Sequence, residues 1–320
     1  MSGLFEVSLF AAALVAVVVW CGMSVTSLTP LPASTSPLVR AWRARLWLYA
    51  PVWVPVWLLA AAFAPGIWGG LTGRGDHCHT HGGHGHHLCV WHPPHASFEP
   101  WVVLFVGVVS VLGLVMMARE AVTLWREWRL ARALVRSSVP SEGGIRVLEH
   151  REPLALTVGV FHPVILVSQG LLETASARTR RVVLAHERAH VRRRDTARAI
   201  LDRLFGALAP RRVREVAQRE LVLACEQACD REAARAEGEA GEVHVASALL
   251  EIARMRMPTP TFGKSAGASS IYARVTHLIG EEEVSTRPLF GAVAGVVALT
   301  VAGMGPVHGA LERAITFLIH

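Results

Sequence analysis

Val182-Val183-Leu184-Ala185-His186-Glu187-Arg188-Ala189-His190-Val191 is the stretch on which the reading of this chain turns. Its apolar lead predicts a helix facing a core. On a helix, residues four apart share a face, so His186 and His190 can grip one metal ion. Glu187 follows the first histidine, where its carboxylate can reach water on that metal. This is the layout of zinc-dependent peptide hydrolysis. With sixteen histidines among 320 residues, chance would supply about 0.04 copies of the pattern. The competing reading is a basic amphipathic helix with surface histidines.

Two histidines do not complete a catalytic zinc site, which takes three protein ligands and keeps one position open. The next long helical segment offers Glu226-Gln227-Ala228-Cys229-Asp230. Glu226 and Asp230 fall on one helix face. Glu226 is the candidate third ligand. Asp230 is the candidate partner for the free ring nitrogen of a ligand histidine, fixing its tautomer. Asp195 is a second candidate for that task. The alternative is a solvated face beside Arg231 and Glu232.

Composition sets the surroundings. The chain is 52% hydrophobic with mean hydropathy +0.38, which predicts membrane spans plus one further domain. Four spans are expected, at about 4–23, 46–64, 98–118 and 288–305. Glu6 and the lack of an early basic residue favour a retained first span over a signal peptide. Gly291 and Gly295 suit the fourth span to close helix packing. The net charge of +7 is almost all arginine, Lys264 being the single lysine. Arg40, Arg43 and Arg45 precede the second span; Arg119, Arg126, Arg129, Arg132 and Arg136 follow the third. Basic flanks mark the cytoplasmic side. The segment 119–287 is therefore expected in the cytoplasm, with the 74–97 loop and the 306–320 tail outside. No nucleic-acid partner is expected, because no recognition-helix pattern appears.

Within 119–287, a charged helix covers Arg119 to Arg136. Gly144–Leu148 and Leu154–Val167 read as strands. Ser176 is a candidate cap for a metal-site helix running to about Leu208, where Pro210 stops it. Helices over Val213–Glu237, Val243–Met255 and Ile271–Ile279 follow. The fold class is thus an α-helical membrane protein with a mainly α, α+β domain carrying a small sheet. Tyr272, Arg274, His244 and His277 are candidates to stabilise an oxyanion, with no spacing to choose among them.

The outer loop holds eight histidines between Asp76 and His95. His77, Cys78, His79, His81, His84, His86, His87 and Cys89 form a tract suited to a second transition metal. A sensing role for metal or acid, a Cys78–Cys89 disulfide and a plain polar loop are the open alternatives.

The strand with Gly159 and Pro163, then VVLAHERAHVRRRD, then ACEQACDREAA, resembles the BlaR/MecR-type membrane metallopeptidases. The sharp matches lie within residues 154–234. The resemblance implies a gluzincin domain with one catalytic Zn2+, held by His186, His190 and Glu226. It implies Glu187 as general base and Asp230 in the Glu-x-x-Cys-Asp pattern. It further implies a multi-pass protein of the cell membrane, a lipid-bilayer setting and cleavage of a cytoplasmic protein such as a transcriptional repressor. The penicillin-binding domain of the beta-lactam sensors has no counterpart before His320, so antibiotic sensing is not expected. An HtpX-type quality-control protease and a metal-responsive receptor with an inactive protease-like domain are the alternatives.

Overall fold

The computed structural model describes residues 2–26, 28–31, 35–72, 99–256 and 266–280, with Gly309. The fourth expected span, the C-terminal tail apart from Gly309, and the histidine-rich loop lie outside the described residues.

Among the described residues, three helices are long and apolar enough to cross a membrane: α1 (Ser2–Val25), α3 (Ala50–Thr72) and α4 (Pro100–Ser137). In the apolar part of α4 only 6% of residues are buried. Val103, Leu104, Val111, Leu112 and Leu114 face outward, a surface that lipid can cover and water cannot. Phe10 of α1 meets Trp101 and Phe105 of α4 edge-on, with centroids 6.0 and 5.8 Å apart. The charged helix expected after the third span is no separate element. It continues α4 to Ser137 without a break.

Several elements depart from the sequence reading. The first is α2 (Pro37–Leu48), a helix across the arginines that precede the second span. Pro37 suits the first helical turn, and Arg40, Ala44 and Leu48 form a buried stripe at four-residue spacing. The arginine in that stripe hid the pattern. Arg40 pairs with Glu220 inside the protein, and Arg45 reaches Asp202 at 3.0 Å. These arginines therefore dock α2 on the domain besides marking a membrane flank. The second span accordingly starts at Ala50, past Tyr49.

The second departure is a break in the metal-site helix. α6 (Ala177–Arg193) ends at Arg194, whose φ of 54° and ψ of 42° are left-handed, and α7 (Asp195–Gly206) restarts at once. A non-glycine residue there costs about 1–2 kcal/mol. The turn redirects the chain and brings Asp195 back beside His190. Gly206 then lies against Leu48; a side chain there would approach within 2.9 Å of it.

The apolar run expected as one strand over 154–167 is a hairpin. β3 (Ala155–Val158) and β4 (Val164–Ser168) pair antiparallel, Ala155 opposite Val167. Gly159 makes the turn at φ +105°, where an added Cβ would sit 2.7 Å from the His162 carbonyl oxygen. β2 (Ile145–Leu148) pairs parallel with β4, and β1 (Val139–Pro140) pairs antiparallel with β2. The order β1-β2-β4-β3 leaves β3 at an edge.

Helices α5 (Gln169–Thr174), α8 (Arg211–Glu237), α9 (Gly241–Arg256) and α10 (Ala266–Ile279) complete the domain. α6 lies between two apolar clusters. Val183 packs with Ile165, Val167 and Leu171 from the sheet side. Val182 packs with Ala233, Val245 and Leu278 from α8, α9 and α10. Each buried valine contributes about 1.5–3 kcal/mol, so adjacent residues clamp the helix from both faces. Its start is fixed by Ser176, which accepts from the Thr179 amide at 3.2 Å. Glu251 of α9 in turn accepts from the Ser176 amide at 2.8 Å.

Candidate metal centre and catalytic site

The clamped helix points His186 and His190 at α8. The two Nε2 atoms lie 3.1 Å apart. Glu226 Oε2 is 3.5 Å from His186 Nε2, and Oε1 is 3.6 Å from His190 Nε2. On the far side of each ring stands a carboxylate. His186 Nδ1–H donates to Asp230 at 2.9 Å and His190 Nδ1–H to Asp195 at 3.0 Å. A carboxylate only accepts, so each contact fixes its Nδ1 as the protonated nitrogen.

Both Nε2 lone pairs then face each other and the Glu226 carboxylate. Three acceptors converge with no donor among them. A cation resolves that conflict, and a tetrahedral ion with bonds of about 2.0–2.1 Å separates two nitrogens by about 3.3 Å. The donor set of two imidazoles and a carboxylate fits zinc. Without the ion the same carboxylates attract protons. Burial lowers the His186 pKa, but hydrogen bonds to Asp230 and Glu226 outweigh it and lift the ring to about 9. At His190 burial is likewise outweighed, by Asp195 and Cys225, and the ring rises to about 10. Protonating both rings would set two N–H donors 3.1 Å apart, a clash that one shared cation removes.

Asp230 is almost fully buried and is gripped by Arg274, Nε to Oδ2 at 2.7 Å and Nη2 to Oδ1 at 2.6 Å. Arg274 Nη1 also reaches Glu226 Oε2 at 2.9 Å. Burial raises the Asp230 pKa, but hydrogen bonds from Arg274 and His186 carry it below the ordinary carboxylate range. Arg274 is thus committed to two carboxylates. Among the other oxyanion candidates, Tyr272 is 71% exposed, which leaves it on the surface. The half-buried His244 and the buried His277 lie outside the residues lining the cleft.

Glu187 is 8% exposed and its Oε2 accepts from the Thr157 hydroxyl at 2.7 Å. Thr157 belongs to the edge strand β3. Ala155, Leu156 and Thr157 line a cleft of about 530 Å³ with His186, Glu187 and Glu226. Thr157 escaped the sequence reading because its contact spans thirty positions. Cys225 and Cys229, which have no role of their own in the sequence reading, both approach His190 Nδ1, at 3.7 and 3.3 Å. The Cys229 thiol pulls Cys225 down to about 7, while Cys229 itself is pushed up.

Residues 147–278, which span β2 to α10, match the family described as BlaR1 peptidase M56. This segment is about two-fifths of the chain, and it is where the likeness to the BlaR/MecR-type peptidases lies. Comparison with curated proteins gives no match. The family is one of peptidases, and the matched segment contains every residue of the centre just described. The match and the span-length helices together point to a membrane metallopeptidase.

Proposed function

We propose that this protein is an integral-membrane zinc endopeptidase of gluzincin type that cleaves a cytoplasmic protein, a transcriptional repressor in a signal-responsive system. The observation that carries the reading is the convergence of His186 Nε2, His190 Nε2 and Glu226 beside the buried Glu187. His186, His190 and Glu226 would hold the ion. Bound there, zinc supplies Lewis-acid chemistry toward water and a peptide carbonyl.

The chain's own groups do the rest. Thr157 holds Glu187 Oε2, which leaves Oε1 to take a proton from the attacking water. The same carboxylate returns that proton to the leaving amine. Asp230 and Asp195 keep both ligand rings in the tautomer that presents Nε2. An extended substrate segment adds to the free edge of β3 by backbone pairing, which carries its carbonyl past Glu187. The basic run in α4 and the arginines of α2 support a cytoplasmic domain, since both flank spans on that side.

The test is a comparison of cells expressing the wild type and Glu187→Gln at equal level, with new protein N-termini catalogued in both. Cleavage products that require Glu187 and vanish on zinc chelation are expected. Identical catalogues would overturn the proposal.

A further inference from the structure

Behind His190, away from the Glu226 centre, four donors of different chemistry meet. They are His190 Nδ1, one carboxylate oxygen of Asp195, Cys225 Sγ and Cys229 Sγ, all within 4.8 Å of one another. Their pairwise separations are specific. His190 Nδ1 lies 3.0 Å from Asp195 Oδ2, 3.3 Å from Cys229 Sγ and 3.7 Å from Cys225 Sγ. Cys229 Sγ lies 3.4 Å from Asp195 Oδ2. A tetrahedral ion with bonds of about 2.3 Å to sulfur and about 2.0–2.1 Å to nitrogen or oxygen needs edges of about 3.3–3.8 Å. Four of the six edges thus stand within a few tenths of an ångström of a coordination tetrahedron, and the two that join Cys225 to Cys229 and Asp195 are within 4.8 Å.

We propose that His190, Asp195, Cys225 and Cys229 form a second site, for a thiophilic cation of the zinc or copper(I) class, with the His190 imidazole bridging it to the Glu226 centre. Two thiolates and an imidazole are the donor set that such cations prefer over calcium or magnesium. Binding displaces the Nδ1 proton of His190 and the two thiol protons into solvent, and Asp195 exchanges its hydrogen bond for a metal bond. Arg193, at 3.2 Å from Asp195 Oδ2, offsets the negative charge of the ligands.

The fold builds this cluster from separate pieces. Cys225 and Cys229 share one face of α8 at four-residue spacing. The left-handed turn at Arg194 returns Asp195 to the end of α6. Strained non-glycine turns persist where surrounding structure holds them, and they concentrate at functional sites. Cys229 is fully buried, whereas Asp195 and Cys225 line both the catalytic cleft and a neighbouring cavity of about 590 Å³ between α2, α7 and α8. An ion therefore has a route that does not cross the substrate.

The experiment uses the full chain in detergent with Cys78→Ser and Cys89→Ser, so that the outer loop contributes no thiolate. Reduced, metal-free protein is titrated with Co2+, and thiolate-to-cobalt charge-transfer absorption and bound cobalt are read. The band is expected in this chain and absent after further Cys225→Ser and Cys229→Ser substitution, with one cobalt fewer per chain. Cys225→Ala alone should reduce the band to about half while leaving the buried Cys229 packing intact. His186→Ala with Glu226→Gln removes the other centre and should retain the band, which would support this site even were peptidase activity never found. No thiolate band in a chain that cleaves its substrate would overturn the second site and leave the peptidase reading standing. Equal bands with and without Cys225 and Cys229 would overturn it as well.

Discussion

The two histidines of the centre are built alike and held differently. His186 leans on Asp230, and Asp230 is clamped by two hydrogen bonds from Arg274 of α10 in a buried setting. His190 leans on Asp195, which sits at a helix break among two cysteines and Arg193. One buttress is locked by a bidentate ion pair whose donors have no other geometry. The other has several exchangeable partners within reach of a single nitrogen. A buried pair tolerates no missing member, whereas a mixed cluster can redistribute its contacts.

The largest effect that would break this contrast is on the locked side. Arg274→Met strips the guanidinium from Asp230 and Glu226, leaves them the His186 ring, and should cost the metal-free protein about 3–5 kcal/mol, read by denaturant unfolding. A loss below about 1 kcal/mol would mean that the clamp is dispensable. Next, Asp230→Asn should lower zinc affinity about 100-fold and Asp195→Asn only about 10-fold, because Cys225 and Cys229 remain beside His190 Nδ1. Competition titrations giving equal losses would erase the difference between the two sides.

Proton linkage sharpens the comparison further. In the metal-free chain the folded pKa values are raised, to about 9 at His186 and about 10 at His190. The stability they contribute is fully present below the unfolded value of about 6.5 and is lost as pH rises through the folded values. Zinc takes the rings without the Nε2 proton, so its affinity should increase as pH rises from about 6 to about 9. Melting curves with chelator and with zinc should therefore show opposite pH trends. The smallest effect belongs to the rim. Glu232→Gln removes the ion pairs to Arg192 and Arg193, leaves Arg193 on Asp195, and should change stability by less than about 1 kcal/mol, as thermal unfolding can check.

What was legible and what was not follows from distance along the chain. The α6 helix, its Ser176 cap and the shared face of His186 and His190 depend on neighbours a few residues apart, and the sequence displays those. The three apolar helices were legible because twenty apolar residues have one solvent. The turn at Gly159 lay in plain sight, but an unbroken apolar run does not say where a hairpin folds. α2 was missed because Arg40, the residue that completes its buried stripe, is interpretable only once Glu220 stands opposite.

By itself, then, the sequence determined which side chains are presented: two histidines on one helix face with a glutamate next to the first, Glu226 and Asp230 on another face, and arginines at the membrane flanks. Helical periodicity is local and needs no fold to be read. Only the tertiary structure decided which of them meet. The Thr157 hydroxyl reaches Glu187 because β3 runs along α6. Arg274 grips Asp230 because α10 packs on α8. Asp195 and two cysteines surround the back of His190 because the chain reverses at Arg194. Those meetings depend on helix crossings and one left-handed turn, and such geometry is set by packing over many residues.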